Sequence, residues 1–410
     1  TIHANKMVKE DIMLKIGFRT VVVIACLFVF SLLCGSTAAA EDFKWPSMVR
    51  IVTPTTQSSS FACTNGWAPI FRGDTGANVR VVPEDNELRR FTRFVTGKEF
   101  ELASISTADA AASMEGHDGY KTQKAAPTRI VWFQNDTPWG FAVRGDSDIK
   151  TIHDLKKRGM RIAVASQSPP MIQGVKEALP AFIGWSPEEA EANWTFIPTG
   201  SYVDSCRTIP DGRADVAYVS PIASLTFEME AHPRGLRWLE MPISDTDAWQ
   251  RFIKIRPVAY PTTIDFGVKS AHGVESIGSA FLYWTTADNE DAFAYNMAKW
   301  FHEAFESYKD VHAIAPRMAA ANYRSYLDFN PFPVAEGTVR YLREIGLWTD
   351  EDDEGNKEAI EIMDMWVSAR NAALEEAQAK KVRIHFQGED FLEIFDRTTA
   401  DIPVFKARIR

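Results

Sequence analysis

Apolar residues along this chain fall into two textures. From Met48 to about Val268 they come as short runs separated by helical stretches; beyond Glu275 they recur at helical spacing over long segments. Met48–Pro54 (MVRIVTP) is apolar and β-branched, the pattern of a buried strand. Phe61–Arg72 reads as a helix ending near Gly73, and Val79–Val82 as a second strand. Asn86–Thr96 places Leu88, Phe91, Phe94 and Val95 on one helical face before Gly97. Glu101–Ile105 is a third strand, and Thr107–Met114 a helix closed by Gly116. Such a β-α-β-α-β-α series predicts a parallel sheet covered by helices.

Ile130–Phe133 and Trp139–Val143 are two further strands, joined closely through Asn135–Pro138. A second series follows: a short helix Ile152–Lys157, strand Arg161–Ala165, helix Met171–Ala178 and strand Trp194–Pro198. Helix Tyr202–Ile209, strand Ala214–Val219 and strand Tyr260–Val268 complete it. Helices are then expected over Ile277–Thr285, Glu290–Ser307, Ala313–Ala321, Glu336–Ile345 and Lys357–Lys380. The last thirty residues read as weakly ordered or as a clasp on the body. The expected class is α/β with two lobes or domains, followed by a helical remainder.

The N-terminal segment has its own pattern. Lys9, Lys15 and Arg19 precede an apolar run, Val21–Leu33, and the small residues Ser36 to Ala40 follow. The run is shorter than the roughly 20 residues a spanning helix needs. This layout is a cleavable secretory signal over residues 1–40, cut after Ala38-x-Ala40, with Met7 or Met13 as the start. A periplasmic protein is therefore expected. Cys26 and Cys34 lie in that segment. Leu33 before Cys34 argues against lipidation, which wants a small residue there. Cys63 and Cys206 remain, either as two buried thiols, the preferred reading, or as a pair in an oxidising compartment.

Hydrophobic content of 45% and charged content of 24% are ordinary for a globular protein and exclude disorder, coiled coil and collagen. The formal charge is −10 with no basic block, which argues against nucleic acid as a partner. An anionic small ligand is compatible, because a pocket can be locally positive.

The strongest chemical signal lies where predicted strands meet helices. Gln57, Ser58, Ser59, Ser60 and Phe61 sit between the first strand and its helix, where free N–H groups converge. One of these serines is expected merely to cap the helix. Gln167 and Ser168 repeat the arrangement in lobe two, and Ser104, Ser106 and Thr107 at the third strand. Such groups at the carboxyl ends of parallel strands are where open α/β sheets bind ligands. Tyr202, Tyr218, Ser220, Tyr260, Thr262 and Thr263 join them near other strand ends, and Trp139 adds ring surface.

No GxSxG, HExxH, GxxxxGK[ST] or GxGxxG motif occurs, and the histidines are scattered, so neither a cofactor nor a catalytic residue is implied. One metal pattern competes with a bland acidic turn. Asp350, Asp352, Glu354, Gly355 and Glu361 fall at positions one, three, five, six and twelve of a calcium loop. Lys357 stands where that loop wants an aliphatic residue.

Several segments together resemble the TAXI-type solute-binding proteins of TRAP transporters. They are Ile51–Trp67, Gly76–Gly116 with GKEFELASI, Ile149–Ala165 (IKTIHDLKKRGMRIAVA), DGRADVAYVSP from Asp211, YPTT from Tyr260, and Pro331–Trp348. The resemblance spans 48–348. It implies the two-lobed type II periplasmic binding fold, with lobe one over 41–138 and 264–348, lobe two over 139–263 and an extension over 349–410, a small organic anion in the cleft, and delivery to a TRAP membrane permease without catalysis. Departures are Thr56–Ser60 where the family's first loop is glycine-rich, Ser168-Pro169-Pro170-Met171 in place of Gly-Ser-Gly-Thr, and Pro333 in place of a histidine. Proline lacks an N–H, so the second loop offers fewer donors. The ligand expected on these grounds is a monoanion with an apolar or aromatic body, its carboxylate on lobe one and its body against lobe two. Alternative readings are a ligand sensor feeding a membrane receptor kinase, or an enzyme on the same fold.

Overall fold

The computed structural model describes residues 43–157, 159–289 and 291–408. The expected signal, with Val21–Leu33, Ala38, Ala40, Cys26 and Cys34, lies outside the described residues.

Lobe one begins with β1 (Met48–Thr53), α1 (Ser59–Thr75), β2 (Asn78–Pro83) and α2 (Glu87–Phe91). It continues with β3 (Leu102–Ser106), α3 (Thr107–Glu115) and β4 (Thr128–Asp136). Helix α1 starts because the Ser58 side chain accepts from the Phe61 N–H, and stops where Gly76 takes the left-handed conformation at φ 74°. It thus runs past Gly73, which is an ordinary helical residue. Its buried face carries Cys63, Thr64, Trp67 and Phe71.

Lobe two holds β5 (Gly140–Arg144), β6 (Met160–Ala165), α4 (Pro169–Gln173), β7 (Trp194–Thr199) and α5 (Tyr202–Asp211). It ends with β8 (Ala217–Val219), β9 (Leu236–Leu239), α6 (Thr246–Ile255), β10 (Tyr260–Thr263) and β11 (Glu275–Gly278). The chain then returns to lobe one through β12 (Ala280–Thr286), α7 (Asp291–Glu303) and α8 (Glu336–Glu344). The extension adds α9 (Asp350–Ala379) and α10 (Glu389–Thr399).

The two lobes follow one plan. In lobe one the strand order is β2-β1-β3-β12-β4, with β1 parallel to β2 and β3, and β12 antiparallel to both neighbours. In lobe two β7-β6 and β8-β5-β9 are linked by a parallel bridge from Ile162 to Val216. There β5 is the antiparallel strand. In each lobe the antiparallel strand is the one that has just crossed from the other lobe. The fold is therefore α/β and two-lobed, of the type II periplasmic-binding-protein kind, with a helical C-terminal extension.

Two antiparallel crossings join the lobes. The Thr137 N–H donates to Ser279 O at 2.7 Å, and Trp139 and Ile277 exchange both backbone bonds at 2.8 and 3.1 Å. The return thus lies at 277–280, later than the expected boundary at 264. Ile264, Val268 and Ala271 pack in the lobe-two core. Ile277–Thr285, expected as a helix, is instead the end of β11 and most of β12. Its apolar run is buried on both sheet faces, so alternation is absent and periodicity alone misled. The Ala313–Ala321 segment is a short 3-10 turn, Ala315–Met318, followed by a helix over Ala320–Leu327.

The calcium-loop reading fails. Asp350, Asp352, Glu354 and Glu361 all lie inside α9, where the helix prevents the looped wrap a cation needs. Thr349 and Asp352 form a capping box that starts the helix there. Asp352 is paired with Arg324, and that guanidinium holds its carboxyl below the usual range against the opposing effect of burial. Among the described residues no cluster of three or more His, Cys, Asp or Glu is placed to hold a metal ion, and no helix is long and apolar enough to cross a membrane. Cys63 and Cys206 are both free and buried. Burial pushes each thiol up to about 12.

The extension is a clasp rather than a weakly ordered tail. Arg370 of α9 is fully buried and donates to the carbonyls of Ser113, Met114, Tyr120 and Gln123. It thereby satisfies the last carbonyls of α3, whose other end faces the cleft. Further on, the Phe405 N–H donates to Glu115 and the Ala407 N–H to Pro257 O in lobe two, at 2.8 and 2.9 Å. Replacing Arg370 by Met would orphan these buried carbonyls. We expect Arg370→Met to cost about 3 kcal/mol or more in chemical denaturation. A loss under about 1 kcal/mol would mean that α9 does not hold α3.

Candidate functional site

Because all parallel strands of both lobes end facing one another, their loops meet across a single cleft of about 900 Å³, counted out to its open mouth. Of the residues singled out from the sequence, Ser58, Ser59, Ser60, Ser106, Gln167, Ser168, Tyr202, Tyr218 and Ser220 line it. The serine loops of the two lobes thus face each other.

Most of these hydroxyls are already engaged. Ser58 caps α1 and donates to Thr55 O at 2.7 Å. Ser59 Oγ donates across the cleft to Ile222 O at 2.5 Å, a direct bond between the lobes. Ser60 Oγ pairs with Ser104 Oγ at 2.5 Å. From there a buried chain runs through Gln134 to the Tyr283 hydroxyl, which also meets Thr64 and Trp67. Ser104 is therefore a core residue that fixes the first loop from below. Ser106 and Ser168 cap α3 and α4. Ser220 donates to Pro138 O, and its N–H donates to the Tyr202 hydroxyl, locking lobe-two loops to the crossing.

The remaining candidates lie off the cleft lining. Gln57 turns back on its own loop, accepting from Thr55 Oγ1 at 2.9 Å. Phe61 is half-buried on α1. Thr107 pairs with Ser279 at the crossing. Tyr260, Thr262 and Thr263 sit on β10 and line a separate pocket with Asp136, Thr137 and Ser279. Tyr260 stacks on Phe329 there, 5.8 Å between ring centres.

The cleft also holds residues the sequence reading passed over: Asp85, Glu87 and Arg90 from the end of β2 and α2, Asn135 and Thr137 from the crossing, and Met171, Arg256 and Phe281. The β2 group was within reach of the strand-end rule, since Pro83–Glu87 directly follows a parallel strand. Arg256 carried no such signal.

Two ionic features shape the site. On lobe one, buried Arg90 sits 2.6 Å from Asp109, whose other oxygen accepts from the Tyr120 hydroxyl at 2.5 Å. On lobe two, Arg256 is 6% exposed. Its Nη1 donates to Pro170 O. Among the described residues no carboxylate pairs with it, and it acts through space on Tyr218 and Glu177. Tyr218 is pushed up to about 12 by burial against the opposing pull of Arg256, so its hydroxyl stays neutral. Trp139 stacks on Tyr218 at 5.0 Å between ring centres, and Tyr202 meets Trp139 edge-on at 5.8 Å. With Met171 and Phe281 these rings give the cleft an apolar wall.

Two α/β lobes of one plan, joined by a double crossing and closing on a cleft of this make-up, define a two-lobed solute-binding fold. The family model described as the NMT1-like family matches residues 90–346, and the chain belongs to that family. No curated protein matches the chain. Solved structures similar to it include the periplasmic aliphatic sulphonate-binding protein SsuA from Escherichia coli, at 13% identity and TM-score 0.38, over 69% of this chain and 79% of that one. The alkanesulfonate-binding protein SsuA from Xanthomonas axonopodis pv. citri, bound to MOPS, is similar at 11% identity and TM-score 0.39, over 83% and 96%. A putative L-cystine ABC transporter from Listeria monocytogenes is similar at 11% identity and TM-score 0.40, over 68% and 98%.

Ser59 is thus a latch between lobes in this structure. Ser59→Ala removes one neutral hydrogen bond, about 1 kcal/mol, and should weaken capture of any cleft ligand about fivefold through easier opening. Calorimetry with a cleft ligand checks this, together with solution scattering of the ligand-free protein, where the variant should be the more expanded. A hundredfold loss of affinity with unchanged scattering would instead make Ser59 a direct ligand contact.

Proposed function

We propose that this protein is a non-catalytic periplasmic solute-binding protein that captures a small organic monoanion in the interlobe cleft. It hands the ligand to a TRAP-type permease, as its resemblance to TAXI-type proteins suggests. The observation that carries the reading is Arg256, nearly buried in the cleft wall and, among the described residues, without a hydrogen-bonded carboxylate. Buried Arg370 donates to four backbone carbonyls, whereas Arg256 donates to the Pro170 carbonyl alone, and an anionic ligand group supplies acceptors for its remaining N–H groups.

Where the anion sits differs from the expectation from sequence. The lobe-one hydroxyls of Ser58, Ser59 and Ser60 are spent on capping, lobe contact and the core chain. The charge that attracts an anion is on lobe two, beside the loop whose prolines lack N–H groups. We therefore assign the carboxylate or sulfonate to Arg256 and the apolar body to the wall of Trp139, Tyr218, Met171 and Phe281. Arg90 is not a second anchor for an anion, because Asp109 already neutralises it. A single cation without a hydrogen-bonded carboxylate, counted among the described residues of the cleft wall, suits a monoanion better than a dicarboxylate.

The test compares phenylacetate, isovalerate and succinate in thermal-shift and calorimetric titrations of the wild type and Arg256→Gln. The wild type should prefer the two monocarboxylates. Arg256→Gln should lose about 2 kcal/mol or more of binding, roughly thirtyfold. Its ligand-free form should be no less stable than the wild type, since a buried charge has been removed. Tight succinate binding with none of the monocarboxylates, or equal affinity in the variant, would refute the assignment.

A further inference from the structure

At the seam between the lobes three acidic groups crowd one guanidinium. Glu87 opens α2, Asp85 lies in the loop before it, and Asp109 comes from α3. Arg90, one turn along α2, is the cation they share. It is committed elsewhere: Nη2 lies 2.6 Å from Asp109 Oδ2 but 3.8 Å from Glu87 Oε1, and Nη1 donates to Glu84 O at 2.8 Å. Asp109 is doubly satisfied, by Arg90 and by the Tyr120 hydroxyl from the turn after α3. It is the group built to be an anion. Glu87 has weaker support, a 3.8 Å approach to Arg90 and a hydrogen bond with the Ser168 hydroxyl. Its Oε2 is buried with no hydrogen-bond partner. From lobe two it is faced by the Ser168 hydroxyl.

One cation cannot neutralise Asp85, Glu87 and Asp109 together in a site of low polarity, so an acid beside it keeps a proton. Burial raises Asp85 as well, but of the three it is Glu87 that has a buried oxygen without a hydrogen-bond partner. The hydrogen bonds decide which. We propose that Glu87 is a proton-binding site sealed between the closed lobes, standing in the cleft as an un-ionised acid whose O–H is a hydrogen-bond donor to the ligand. The inference rests on the cleft being the ligand site and deepens that reading. With Glu87 neutral and Arg90 cancelled by Asp109, Glu87 does not repel the ligand anion at Arg256. The site then favours a monoanion that also carries a hydrogen-bond acceptor away from its charged end.

Burial, with Asp109 next, raises the Glu87 carboxyl well above its usual range, against the opposing effects of Arg90 and Ser168. A carboxyl raised in the folded state contributes its full stability below its unfolded value, about 4.3. That contribution is lost as pH rises through the folded value. Glu87→Gln, an isostere of the neutral acid, has no proton to lose.

The test uses the ligand-free protein, so it stands whether or not phenylacetate binding depends on Arg256. Thermal midpoints of wild type and E87Q are compared across pH, and their infrared difference spectrum is recorded. The midpoints should nearly coincide at acidic pH, with E87Q pulling ahead as pH rises. The spectrum should carry the carbonyl band of an un-ionised acid that E87Q lacks, fading over the same pH window. A midpoint difference that stays constant with pH, or a difference spectrum with only carboxylate bands at neutral pH, would overturn the proposal.

Discussion

Arg256 is nearly buried in the cleft wall, and among the described residues no carboxylate hydrogen-bonds to it; it donates to the Pro170 carbonyl alone, which leaves its other N–H groups to a cleft ligand. Much of the surrounding construction serves that arrangement. Helix α6 carries Arg256 to the cleft wall, Pro170 O holds its Nη1, and Tyr218 beside it stays neutral. On the facing lobe Asp109 already pairs with Arg90. On the proposed reading, one ionic anchor on one lobe leaves the other lobe without a charged hold on the ligand.

The lobes are joined by the double crossing at 136–139 and 277–280. Each crossing strand enters the opposite lobe as its antiparallel member, β5 in lobe two and β12 in lobe one. The backbone bonds between Trp139 and Ile277 make the two crossings one ribbon. The bond from Ser59 to Ile222 and the tail contact from Ala407 to Pro257 are two further ties between the lobes. The tail contact follows Arg256 by one residue, so the extension that braces α3 through Arg370 also touches the segment holding Arg256.

Reading the sequence recovered the two α/β series and the strand-end loops, because parallel strands and capped helices announce themselves locally. Ser58–Ser60 and the pair Gln167 and Ser168 were found by that rule, and both loops do face the cleft. What their hydroxyls do there was not legible. Whether Ser59 meets a ligand or Ile222 depends on how the lobes close, which no local pattern encodes. Arg256 and Glu87 were missed for a related reason: a charged residue near a helix end looks solvated until the other lobe covers it. The run 277–285 was misread because a strand buried on both faces shows no alternation. The acidic turn at 350–354 matched a calcium pattern by composition, while the Thr349–Asp352 capping box had already committed it to a helix.

The account is tested most directly by a crystal structure of the protein with the small molecule it retains when purified from its native host. The account predicts a monoanion whose charged group lies within hydrogen-bonding distance of Arg256, its body against Trp139 and Tyr218. A ligand with its charge on the Ser58–Ser60 loop and Arg256 still unpaired would contradict it.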